Sequence, residues 1–128
     1  MTMTSPNRRR RRPNPWRGIA LLAWVAACGG TEHLEDAECT PAGEELTYEN
    51  FGQPFLGAYC QECHARDQLD RRGAPDHVSF DSHGDVWEWD DRIYARSAAS
   101  NKSMPPGPDD PPLEERALLA QWLACGAP

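Results

Sequence analysis

Past Cys28 the chain has a single methionine, Met104, and only seven basic residues against twenty acidic ones, a balance of −13. That shortage of positive charge makes the region a poor match for phosphate backbones or anionic lipid, and a good one for a partner with a basic docking face. Nucleic acid is therefore not expected as a ligand. The longest apolar run, Gly18 to Ala27, has ten residues, too few for a permanent bilayer-spanning helix. Around residues 45–75 there is no βαβ pattern of the kind a thioredoxin-like site needs, and no second pair of metal ligands stands close to the Cys60/Cys63 pair, as a zinc site would require.

What is present begins with a targeting segment. Six of the thirteen basic residues (Arg8 to Arg12 and Arg17) precede Cys28, and all twenty acidic residues follow it. Residues 1–15, rich in Arg and Pro and without apolar period, read as the positive flank of a signal peptide whose core is Gly18 to Ala27. Val25-Ala26-Ala27-Cys28 resembles the bacterial lipoprotein signal, which implies acylation of Cys28 as the first residue of the mature chain. An ordinary cleavable signal, with Cys28 incidental, is the alternative. Pro13 and Asn14 after the arginines do not fit a twin-arginine signal, and Gly29 is not the acidic residue associated with inner-membrane retention. The expected organisation is a signal peptide over 1–27, an acidic tether over 28–46 and one small domain over 47–128, on the periplasmic side of the cell envelope. His33, in the tether, is expected to be solvated.

The chemistry concentrates at Cys60-Gln61-Glu62-Cys63-His64. Two thiols three residues apart lie on one side of a helical turn, where both can add to the vinyl groups along one edge of a porphyrin. The histidine that follows can then offer an imidazole nitrogen to one axial position of the iron. The reading is a covalent haem attachment site, with thioredoxin-like and zinc sites as the weighed alternatives.

Around it the chain reads as all-α. Pro54 is tolerable only in a first helical turn, so helix one is expected from Gln53 through the motif to His64. Residues 65–81 form a charged, broken loop past the haem edge. Ser82-His83-Gly84-Asp85 reads as a capping box with Asp in place of Glu, and Val86, Trp89, Ile93, Tyr94 and Ser97 recur at helical spacing over a second helix, 84–98. Either Trp87 or Trp89 could offer its indole N–H to a haem propionate; Trp87, off the apolar stripe, is the better candidate. Asp109-Asp110-Pro111-Pro112 is expected to cap a third helix running to Ala124, with Leu113, Ala117, Leu118, Trp122, Leu119 and Leu123 apolar and Gly126 as its stop.

Residues 50–125 resemble the class I c-type cytochromes in their haem motif, their helix order and Met104-Pro105-Pro106, a form of loop that recurs in bacterial members. The resemblance implies a small cytochrome c fold of three main helices wrapped around one covalent haem c. It implies thioethers from Cys60 and Cys63, His64 as proximal ligand and Met104 as distal ligand. Gly52 and Leu56 would meet the last helix at Leu118 and Trp122. His77 and His83 are alternative axial ligands, though a histidine in a polar loop is more often solvated. With Cys28 acylated and two cysteines on haem, Cys39 and Cys125 remain as a disulfide pair in an oxidising compartment, or as two free thiols.

The expected function is a one-electron carrier between membrane-associated redox partners, an electron-transfer protein and not an enzyme. Two alternatives stand beside it. One is a small haem enzyme or gas-binding sensor with an open sixth site, and the other a cytochrome-like lipoprotein with a structural role.

Overall fold

The structure, a computed structural model, describes residues 32–128. The expected signal peptide over 1–27 and the acylated Cys28 lie outside the described residues. Among the described residues the regular structure is helical, without strands, in keeping with the all-α expectation. A 3-10 turn, Leu34–Asp36, leads to the short α1, Pro41–Glu44; a π-helical turn, Tyr48–Gly52, runs directly into α2, Gln53–Tyr59; then follow α3, Gln61–His64, α4, His83–Ser97, and α5, Leu113–Ala124.

The first expected helix differs at both ends. It begins earlier, at Thr47, whose hydroxyl accepts from the Asn50 N–H (3.1 Å) while the Asn50 side chain accepts from the Thr47 N–H (2.7 Å). This reciprocal cap satisfies donors that a helix start would otherwise leave open. Pro54 has no N–H to continue an α ladder, and the chain meets it with the wider π turn. The helix also breaks at Cys60 (φ −118°, ψ −38°) and resumes as the single turn of α3.

α4 has the expected cap: Ser82 Oγ accepts from the Asp85 N–H at 3.2 Å, and Asp85 Oδ2 accepts from the Ser82 N–H at 2.8 Å. α5 does not. Asp110 turns instead to the Arg116 guanidinium, and Pro112 flanks the helix without a side-chain cap. Its buried face is also rotated from the expected one: Arg116, Leu119, Ala120 and Leu123 point inward with Trp122, whereas Leu113 and Leu118 are 58% and 39% exposed.

The core lies where α2, α4 and α5 meet, on Leu56, Val86, Ile93, Leu119, Trp122 and Leu123. Gly52 and Trp122 form the tightest contact there. A β-carbon on Gly52 would stand 2.4 Å from the indole ring, so only a residue without a side chain lets the two segments approach this closely. The expected contact of Gly52 with the last helix is thus made at Trp122, Leu56 joins Trp122 in the core, and Leu118 is left partly exposed.

From Glu32 on, the expected tether is packed against the domain. Leu34, Ala37 and Leu46 lie on the core. The backbone N–H of Glu32 donates to Asn101 Oδ1 (3.2 Å) and its carbonyl accepts from Asn101 Nδ2 (3.0 Å). α1 is fastened to α5 by the bonded sulfurs of Cys39 and Cys125, 1.96 Å apart, and Gly43 again marks the close approach, since a β-carbon there would come within 2.7 Å of Cys125 Sγ. The acidic composition suggested solvation, but four apolar or small residues spaced along it are enough to seat it. His33 is exposed.

Candidate functional site

Cys60, Cys63, His64 and Met104 all line one cavity of about 330 Å³, whose walls are mainly apolar and include Val78, Phe80, Trp89 and Ile93. The two thiols are the only free cysteines among the described residues. The break at Cys60 brings them to the same side: its carbonyl accepts from both Cys63 N–H (3.2 Å) and His64 N–H (2.9 Å), closing a tight turn with Cys60 and His64 at its ends.

His64 is oriented from two directions. Its Nδ1 lies 3.0 Å from the Val78 carbonyl, which can only accept, so Nδ1 carries a proton and in the neutral tautomer the lone pair is on Nε2. The ring also stacks on Phe80 at a centroid distance of 4.6 Å. Both partners belong to the loop after the motif, and that loop is fastened back on α3 by the Phe80 N–H to the His64 carbonyl (3.1 Å) and by Gln61 Nε2 to the Phe80 carbonyl (3.0 Å). Arg71 stiffens it from within by donating to the carbonyls of Ala65 (2.5 Å), Pro75 (3.0 Å) and Val78 (2.6 Å).

Burial, with a smaller contribution from Cys63, pushes the Cys60 thiol up to about 12 against a partial opposing pull from Arg116. A thiol of that kind is protonated at neutral pH and is a poor redox nucleophile, the opposite of the depressed value that thiol–disulfide catalysts use. Among the described residues no three His, Cys, Asp or Glu side chains converge to hold a metal ion, as a zinc site at this pair would require.

Met104 reaches the same cavity from the segment between α4 and α5. It is 38% exposed and is held through its backbone, with its N–H donating to the Arg96 carbonyl (2.9 Å) and its own carbonyl accepting from Arg116 (2.8 Å). Arg71, Arg72, Arg92 and Arg96 also line the cavity. Arg72 pairs with Glu62, whereas Arg92 and Arg96 have no ion-pair partner among the described residues.

Two expected participants lie elsewhere. Trp87 donates its indole N–H to the carbonyls of Gly126 and Ala127, both at 3.2 Å, on the far side of α4, and Trp89 is the tryptophan on the cavity. His83 is likewise committed away from it, with Nε2 2.6 Å from the Ala127 carbonyl and its ring stacked on Tyr48. His77 is exposed, its ring 5.9 Å from that of Trp89. Arg71 and Arg116 are the residues that sequence reasoning passed over. Arg71 leaves no pattern, because its acceptors are loop carbonyls. Arg116 does leave one, standing three, four and seven residues before Leu119, Ala120 and Leu123 on the buried stripe of α5.

Comparison with protein-family models, with curated proteins and with solved structures finds no match to this chain.

Proposed function

We propose that the protein is an exported, lipid-anchored monohaem cytochrome c that passes single electrons between membrane-associated redox partners. The observation that carries this reading is that the two thiols, His64 and Met104 line one apolar cavity although Met104 stands forty residues beyond the motif. No short-range rule brings a lone thioether to that place.

The donor set fits haem c in kind. Two free thiols suit thioether formation at the porphyrin edge, and His64 offers Nε2 because its Nδ1 proton is engaged by Val78. Met104 offers a neutral sulfur of the sort that favours ferrous iron. Apolar walls suit the porphyrin faces, while Arg92 and Arg96 supply positive charge for its carboxylates. When bound, the haem would supply the one-electron ferric/ferrous couple. The chain's part would be to orient the imidazole, hold the sulfur at the same cavity and keep water from the iron. His64 and Met104 are the residues that would hold the iron, and if both did, the protein would need no substrate on the metal; we therefore read it as a carrier and not an enzyme. Among the described residues no helix is long and apolar enough to cross a membrane, and attachment through Cys28 is the proposed anchor. The strongly acidic chain favours partners with a basic docking face.

The test is a pyridine haemochrome spectrum of the full chain exported from a host with the haem-attachment machinery. The expected result is one covalent haem per chain, low-spin in both oxidation states, with slow carbon monoxide uptake when reduced. Absence of covalent haem would refute the reading. Rapid carbon monoxide uptake would favour the gas-binding or enzymatic alternative.

A further inference from the structure

Arg116 is the only lysine or arginine among the described residues that is fully buried, at 1% exposure. Its guanidinium is spent almost wholly on one loop. Nη1 donates to the carbonyls of Ser97 (2.8 Å), Asn101 (3.0 Å) and Met104 (2.8 Å), Nε donates to Pro111 (3.2 Å), and Nη2 pairs with Asp110 (3.3 Å). The Arg116 carbonyl accepts from the Ala99 N–H at 2.9 Å. One residue of α5 thus grips the segment between α4 and α5 at its start, at Met104 and at its end.

Met104 has little else to hold it. Its side chain is partly exposed, and besides Arg116 its backbone has the single bond to the Arg96 carbonyl, which Ser103 Oγ shares at 3.3 Å. A thioether is a weak neutral ligand, so its occupancy of a metal's axial position depends on how narrowly the backbone confines it. We infer that Arg116 is the positioning residue for Met104: its planar fork of donors converts the helix α5 core into a fixed mount for the sulfur, and Asp110 holds that fork from the solvent side. The inference rests on the haem reading above. Lysine cannot replace arginine here, because one ammonium with three donors cannot span four carbonyls and a carboxylate.

The test compares wild type, Arg116→Lys and Asp110→Asn as the full-chain, haem-loaded protein. Arg116→Lys keeps the buried charge and removes the fork. It is expected to retain wild-type covalent haem, to lose the ferric sulfur-to-iron band, and to take up carbon monoxide at least tenfold faster when reduced. Amide hydrogen exchange at Met104 and Asn101 should quicken at least tenfold, while the amides of α4 keep their rates. Asp110→Asn, at an exposed position, should move the same readouts two- to threefold and carries the test alone if Arg116→Lys yields no folded protein. Wild-type behaviour in the variants overturns the inference. So does uniformly faster exchange with the sulfur band intact, which would make Arg116 a structural residue only. A wild type lacking covalent haem, or one with haem but no sulfur band, overturns the haem or the Met104 reading first and takes the positioning role with it, so the failures are told apart.

Discussion

On one side of the cavity Cys60, Cys63 and His64 follow one another along a single turn, and the loop that steadies them begins at the next residue. Elsewhere on the cavity lining Met104 stands alone, held by an arginine from a helix that begins nine residues later in the chain. Each wall is braced by an arginine that donates to backbone carbonyls: Arg71 behind His64, and Arg116 behind Met104. The difference lies in what the arginine holds. Arg71 stiffens the loop whose Val78 carbonyl fixes the imidazole, with Phe80 stacking as a second constraint, whereas Arg116 grips the Met104 backbone and leaves the thioether partly exposed. A strong, doubly constrained donor thus shares the cavity with a weak, singly constrained one, and the Met104 side is where the site should open first.

The largest effect should come from the constrained wall. Cys60→Ser with Cys63→Ser is expected to abolish covalent haem entirely, measured as haemochrome per chain, while leaving His64 in place. Retained covalent haem would mean that the thiols are not the attachment points.

Next in size is Met104→Ala. Carbon monoxide uptake by the reduced protein should rise by about tenfold or more, with covalent haem unchanged and the reduction potential lower, because a ligand favouring ferrous iron has gone. Equal uptake in wild type and variant would erase the distinction between the walls. His77, exposed and with its ring 5.9 Å from that of Trp89, should be removed in the same background to exclude its substitution for the lost sulfur.

Gly52→Ala probes the support that both walls share, since α2 leads directly into the motif at Cys60 and α5 carries Arg116. A β-carbon 2.4 Å from the Trp122 ring should cost about 1–3 kcal/mol in denaturant unfolding. Haem content and carbon monoxide uptake should both change if the crossing governs the two walls together. A change confined to one would show that they are mounted independently.

The smallest effect at neutral pH concerns Cys60 in haem-free protein. Because burial raises its thiol to about 12 from an ordinary value of 9.0, the unfolded chain ionises first, and between those values it binds fewer protons than the folded one. Stability should therefore be unaffected below about pH 9 and fall as pH rises beyond it. Alkylation of Cys60 should be slow at neutral pH and quicken with pH. Rapid alkylation near pH 7 would point to a reactive thiol and revive the thioredoxin-like alternative.

The chain's own letters determined the helical class, the α4 cap at Ser82, the inward stripe of α4 and the contiguous Cys60, Cys63 and His64 group, because each depends on spacing within a turn or two. They also marked Met104, through its isolation among prolines, without saying what would hold it. Local pattern failed where a polar or charged group is satisfied from afar. Arg116 drew no expectation, Asp110 read as a cap by its place before prolines, and residues 32–46 as part of a tether by their acidity. Tertiary structure decided each of these, since a buried guanidinium is stable only where several carbonyls converge, and that convergence exists only once α4, α5 and the loop between them have packed.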